Sequence, residues 1–158
     1  MSKKRHNQHD AFSLLELVIV VAIIAILAAI AIPRMSRGSK GAGDSALSGD
    51  LTVLRNAIDI FAAEHVGTFP TVADITNQLT QYTDVNGTAQ AAKDPNHIYG
   101  PYVRKIPPLP VGNRKGGTGI AAADAAGVGW LYDQTTGTIK ANCQDTETDD
   151  AGKKYNEY

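Results

Sequence analysis

A single cysteine, Cys143, stands in this 158-residue chain, so no internal disulfide can close any part of it. An excess of basic charge is also missing. Against 16 Asp and Glu there are 15 Lys and Arg, a formal net charge of −1, which leaves no general basic field for nucleic acid. Histidine is sparse, with only His65 and His97 beyond residue 33. Neither HExxH nor a paired Cys/His spacing accompanies them, so a transition-metal centre has little sequence support. No Ser, Cys or Thr stands in a recognisable nucleophile elbow or triad context. The Gly-rich, cationic stretch 112–119 lacks a Lys directly after its last Gly, as a Walker loop requires, and reads as a mobile surface loop. Asn86-Gly87-Thr88 matches a glycosylation acceptor but reads more simply as a turn. These absences point away from an enzyme.

What the chain does have is one long apolar run. FSLLELVIVVAIIAILAAIAI, Phe12 to Ile32, passes through twenty-one residues with one ionisable side chain, Glu16. At about 1.5 Å per residue, a helix of this length crosses the ~30 Å hydrocarbon layer of a bilayer. A charged carboxylate costs about 2.5 to 3.5 kcal/mol at the centre of such a helix and less near an interface, so Glu16 is a functional candidate in need of a partner. Ahead of the run stand Lys3, Lys4 and Arg5 against one acid, Asp10. That bias keeps the short N-terminus in the cytoplasm and puts the bulk of the chain outside. A secretory signal peptide would place a small-residue cleavage site after its apolar stretch, whereas here the small residue, Ala11, comes before it.

This reversed order, read along AFSLLELVIVVAIIAILAAIAIP from Ala11 to Pro33, resembles the N-terminal signature of the type IV pilin superfamily. That signature is a short basic leader, a small residue, an aromatic, a Glu early in the mature chain, and an apolar helix ending near a Pro. The resemblance implies a leader of residues 1–11, cut after Ala11 by a prepilin peptidase, with Phe12 as the new, N-methylated terminus. It implies that Glu16 pairs with the terminal amine of a neighbouring subunit. The family usually has Gly before the cut, and Ala11 is a less common substitute. Losing the leader would remove three basic residues and one acid, leaving 12 against 15 and a formal charge of −3. Many type IV pilins close their C-terminal region with a disulfide, so the lone Cys143 leans the resemblance toward the pseudopilins of type II secretion systems.

Beyond the apolar run, roughly 125 residues suit one modest domain. Residues 12–33 read as a transmembrane and assembly helix, 34–66 as its amphipathic continuation and 67–158 as a globular head. Pro33 should kink or loosen the helix, and Gly38, Gly41, Gly43 and Gly49 make weak helix after it. Leu47, Leu51, Leu54, Ile58 and Phe61 then recur at helical spacing and need a cover. Gly67 and Pro70 end the helix near His65 and Val66. Thr71 and Asp74 suggest a capping box for a short helix from about Val72 to Thr80. Between Asp84 and Gly119, Pro and Gly are too frequent for long elements, with a short strand expected around Tyr102, Val103 and Ile106. Residues 129–132 and 138–141 flank a five-residue Asp133–Gly137 connection and read as a hairpin, with Trp130 and Leu131 or Tyr132 plugging the helix stripe. The expected fold is α+β and pilin-like: a long N-terminal helix whose second half packs on a small antiparallel sheet. The helix, the turn at Thr68 to Thr71, the YGPYVRKIPPLP loop and the WLYDQTTGTIKAN hairpin look most like the major pseudopilin type.

The acidic end, Asp145, Glu147, Asp149 and Asp150, offers hard oxygen ligands at close spacing. Major pseudopilins hold calcium in a C-terminal loop, so the resemblance raises calcium here, although the chain lacks the family's usual glycine-rich stretch and any EF-hand spacing. A solvated tail is the simpler reading, with residues 151–158 poorly anchored. No other cofactor is expected, nor any nucleic acid partner. The resemblance implies a structural subunit of a type II secretion pseudopilus in the bacterial inner membrane, single-pass with a periplasmic C-terminal domain, later polymerised into a periplasmic or cell-surface filament. Its partners would be other copies of the chain in a helical filament, the prepilin peptidase, an inner-membrane assembly platform and minor pseudopilins. The alternatives are a type IV pilus subunit serving adhesion, motility or DNA uptake, and a plain single-pass membrane protein with a periplasmic domain.

Overall fold

Helix begins almost where the apolar run begins. The computed structural model describes residues 13–158, with side chains for all of these except 32–39. Helix α1 spans Leu14–Glu64, 51 residues. Two compact units divide the chain, residues 1–39 and 40–158, and α1 contributes to both. The backbone is helical through Pro33 and through all four glycines from Gly38 to Gly49. The stretch expected to be weak helix is therefore helical. In the second unit the reason is packing: Leu47, Leu51, Leu54 and Ile58 are completely buried or nearly so. Burying a Leu or Ile side chain gains about 1.5 to 3 kcal/mol, more than the ~1 kcal/mol a helical Gly costs. Gly43 also lies under Val111, whose Cγ1 would meet an added Cβ at 3.1 Å.

The chain leaves α1 through two left-handed residues, Val66 at φ 57° and Gly67 at φ 79°. The Gly67 amide donates back to Ala62 O at 2.8 Å, which closes the helix end. Helix α2 spans Ile75–Thr80, three residues shorter at its start than expected. The capping box does not form. Asp74 makes no side-chain cap and instead accepts from Asn77 Nδ2 at 2.6 Å, while the Thr71 amide is taken by Gln78 Oε1 at 2.8 Å. Buried Gln78 also donates to Gly87 O at 2.8 Å, so one amide side chain ties both flanks of α2 together.

Strands β1 (Tyr82–Thr83) and β2 (Ala89–Gln90) make a minimal antiparallel pair, and β3 (Gly119–Ala121), β4 (Val128–Asp133) and β5 (Thr138–Ala141) make a sheet in the order β3-β4-β5. The β4-β5 hairpin is the expected one, with Trp130 opposite Ala141 and Tyr132 opposite Ile139. All four of these side chains are buried in the core cluster that also holds Leu47, Leu54 and Ile58 of α1, whereas Leu131 is only half-buried. Strict alternation thus selects Tyr132 over Leu131 as the second plug. Strand β3 pairs parallel to β4, so the sheet is mixed rather than purely antiparallel.

No strand forms at Tyr102 to Ile106. The Tyr102 and Val103 amides both donate to Leu79 O at 3.0 Å, pinning this segment to the end of α2 rather than to a ladder. The three prolines that follow, Pro107, Pro108 and Pro110, remove the donors a strand would need. This segment still joins the core: Val103, Ile106 and Leu109 are buried, and Pro107 O accepts from Trp130 Nε1 at 2.8 Å. The C-terminal residues are better anchored than expected. Tyr155 opens a 3-10 turn, Tyr155–Glu157, is buried, and donates its hydroxyl to Asp44 Oδ1 at 2.8 Å. Apart from the mixed sheet, the α+β, pilin-like arrangement stands as expected.

Candidate functional site

Glu16 lies in the first turn of α1, where unpaired backbone N–H groups and the helix dipole favour a negative charge. Its side chain is exposed, as is nearly everything around it. No residue of Leu14–Ala31 is buried within the chain. Leu14 is 81% exposed and Ile24 59%, on different faces of the helix. A helix that is apolar on every side is stable only when lipid or other helices cover it. Among the described residues this is the one helix long and apolar enough to cross a membrane, a test that a signal sequence near the N-terminus also passes. Ala11 and Phe12, the expected cleavage and methylation positions, lie outside the described residues, as does the side chain of Pro33.

In the head, the four acids considered as calcium ligands are each turned to a different protein donor. Glu147 accepts from the Asn113 amide at 2.6 Å through one oxygen and from the Gln144 amide at 2.7 Å through the other. It is a staple between two loops. Asp149 accepts from the amides of Ala151 and Lys153 at 2.8 Å and from the Tyr158 hydroxyl; the Tyr158 contact above all holds its carboxyl below the usual carboxylate range. Asp145 accepts from Asn156 Nδ2 at 2.7 Å, the main reason its carboxyl is also held low. Asp150 pairs with Lys40 at 2.9 Å on the surface. Among the described residues no three His, Cys, Asp or Glu side chains converge as a metal group would need. The residues present therefore do not fit a calcium site.

The remaining motifs resolve in the same structural direction. His65 is buried, its ring stacked on Phe61 at 3.9 Å, with its nitrogens 2.7 Å from Phe61 O and 2.9 Å from Asp84 O. His97 sits 2.9 Å from Asp94 Oδ1. The glycine-rich loop is held rather than mobile: Leu109 N donates to Gly117 O at 2.9 Å and Gly116 N to Leu109 O at 2.8 Å. Gly117 and Gly129 stand so close that a Cβ on either would strike the other's backbone. Such a loop spends most of its N–H groups, those of Asn113, Lys115, Gly116, Gly117 and Gly119, on its own chain. Cys143 is half-buried, and burial first, then the Glu147 charge, pushes its thiol up to about 12. A surface hollow of about 650 Å³ beside the hairpin is lined by Val72, Leu131, Tyr132, Asp133, Thr136 and Lys140, among others.

The sequence did not reveal the staple made by Glu147, the Gln78 tie or the Tyr155 to Asp44 bond, because each joins residues whose spacing carries no period. The one concentration of unexplained chemistry therefore remains the bare apolar helix with its lone acid. Residues 7–32 match a family model described as the prokaryotic N-terminal methylation motif. No curated protein and no solved structure matches the chain. The matched segment takes in the proposed cleavage junction, Glu16 and the apolar run, so the chain carries the N-terminal motif of type IV pilin-like substrates of a prepilin peptidase.

Proposed function

We propose that this chain is a structural filament subunit: anchored by its apolar helix with the N-terminus in the cytoplasm, cut between Ala11 and Phe12, methylated at Phe12, and polymerised into a helical filament. The observation that carries this is the coincidence of the methylation motif with an apolar helix in which none of the described residues Leu14–Ala31 is buried. In lipid that helix is already solvated, and it gains by leaving only if it packs the same surface against other helices. A filament core provides that surface. There Glu16 has no water, and a bare carboxylate is costly, so the ammonium of a neighbour's Phe12 is the partner that makes its burial tolerable. Such a pair sets axial register more than it adds stability.

Within this class we favour a type II secretion pseudopilus working with an assembly platform and minor pseudopilins. The lone Cys143 supports that reading, because this head is closed without a disulfide by the anchoring of Tyr155 on Asp44 in the outer half of α1 and of Glu147 on the adjoining loops. The chain itself performs no catalysis in this reading. Intact mass and N-terminal sequencing of membrane-extracted protein test the processing step. A chain beginning at methylated Phe12 is expected, and one still beginning at Met1 or Ser2 in cells that contain the peptidase would overturn it.

A further inference from the structure

Residues 106–110, Ile-Pro-Pro-Leu-Pro, are held extended by their own covalent chemistry. Each Pro fixes its φ at about −65°, and Ile106, Pro107 and Leu109 each precede a Pro, which turns them away from the α region. That leaves polyproline II, a left-handed helix with roughly three residues per turn and therefore three ridges. Burial repeats with the same period. Ile106 and Leu109 are sunk in the core, as is Val103 one step before them, while Lys105 and Pro108 are exposed and Pro107 and Pro110 are half-buried. The head already grips this segment from one side, where Trp130 Nε1 donates to Pro107 O at 2.8 Å and Gly116 N donates to Leu109 O at 2.8 Å.

The open side carries charge. Arg104 and Lys105 are exposed at the start of the segment, and among the described residues neither enters an ion pair. A ridge that is rigid before it binds loses little entropy on binding, and aromatic-lined grooves exploit this when they take polyproline segments. Two free cations at one end add a demand for carboxylates at the same end of the groove. A second copy of this chain does not meet the description. Among the described residues every Phe, Tyr and Trp is buried or half-buried, so the head presents no exposed aromatic side chain to line such a groove. A bilayer surface would attract the cations but has nothing to stack on the prolines.

We propose that residues 104–110 are a docking ridge for a different protein, whose groove offers aromatic side chains to Pro107, Pro108 and Pro110 and carboxylates to Arg104 and Lys105. This docking is separate from the filament reading and needs no polymerisation. A benzophenone amino acid in place of Pro108 tests it in the full chain, irradiated in the cells that make it, with the adduct mapped by mass spectrometry. The adduct should join the chain to another protein at a peptide that holds a Trp, Tyr or Phe together with two or more Asp or Glu. Arg104→Glu combined with Lys105→Glu should lower the adduct's yield about tenfold or more, and should leave the thermal midpoint of the head near the parent's because both positions are exposed. The same probe in place of Lys105 guards against a Pro108 replacement that loosens the segment, and it should trap the same partner peptide. No protein adduct from either position, adducts only to lipid or to a second copy, a partner peptide without aromatic or acidic residues, or a yield indifferent to the charge reversal would each overturn the docking ridge.

Discussion

Val66 adopts φ 57° while 91% of its surface is exposed, a conformation that costs a β-branched residue about 1 to 2 kcal/mol and brings it no packing in return. Asn tolerates the left-handed region and would make the same helix exit without that strain. Val66→Asn is therefore expected to stabilise the head by about 0.5 to 1 kcal/mol, read as a rise in the thermal midpoint. A fall would mean the position is not left-handed in solution. Cys143 gives a second test at this scale. Its thiol is raised to about 12 by burial, so the folded chain stays in the thiol form where an unfolded Cys, near 8.5, is half ionised. Alkylation at pH 8.5 should be slower in the native chain than in denaturant, by roughly tenfold or more, because the smaller thiolate fraction outweighs the greater nucleophilicity of a high-pKa thiolate. The linkage has a definite sign. A raised folded-state value leaves this contribution to stability intact below about 8.5, and it is lost as pH climbs toward 12.

Among the elements, the loops are held by side chains that reach across sequence. Glu147 lies in the C-terminal segment yet accepts from the Asn113 amide in the glycine-rich turn, while its second oxygen holds the Gln144 amide beside it. Glu147→Ala strands both donors, and because the site is partly exposed water takes them up at a cost of about 1 to 2 kcal/mol. Amide exchange should rise at Asn113 and Gln144 while the β4-β5 hairpin keeps its protection. Unchanged exchange at both amides would show that the staple does not form. The β4-β5 hairpin was readable in advance because alternation and a Gly-ended connection are local signals, and its register follows from which side chains the helix can bury. Strand β3 was not readable. Its three residues pair parallel to β4 through a register shift, and nothing local marks a residue for a parallel neighbour that follows it across a loop.

For the whole molecule the question is what the bare helix does when copies meet. In the membrane Glu16 stands in the first turn, within reach of the interface or of a proton, so Glu16→Leu should leave insertion and leader cleavage intact. In a filament Leu cannot meet a neighbour's amine. Glu16→Leu should therefore accumulate as processed monomer with polymerisation lost or strongly reduced, and Glu16→Asp, shorter by one methylene, should fall between it and the parent. Filament mass sheared from cells or membranes at matched processed subunit is the measurement, and parental yield from Glu16→Leu would show that the acid is not the assembly contact.

The sequence alone determined the parts of this protein whose physics is periodic or compositional. Twenty-one nearly uninterrupted apolar residues make a membrane-length helix whatever follows, and one acid in their first turn is conspicuous without any coordinates. The spacing of Leu47, Leu51, Leu54 and Ile58 likewise named the face the head would cover. Only the tertiary structure decided matters of reach. Acids that looked like a ligand cluster were separated among Asn113, Asn156, Tyr158 and Lys40, because a carboxylate goes to the donor nearest in space rather than in sequence. Tyr155, read as part of a loose end, was drawn into the core beside Asp44, since 111 positions of separation weigh little once both ends of the head lie against the same helix. The open side of residues 104–110 became visible for the same reason: a ridge can be recognised as bare only after the folded chain has chosen which one to cover.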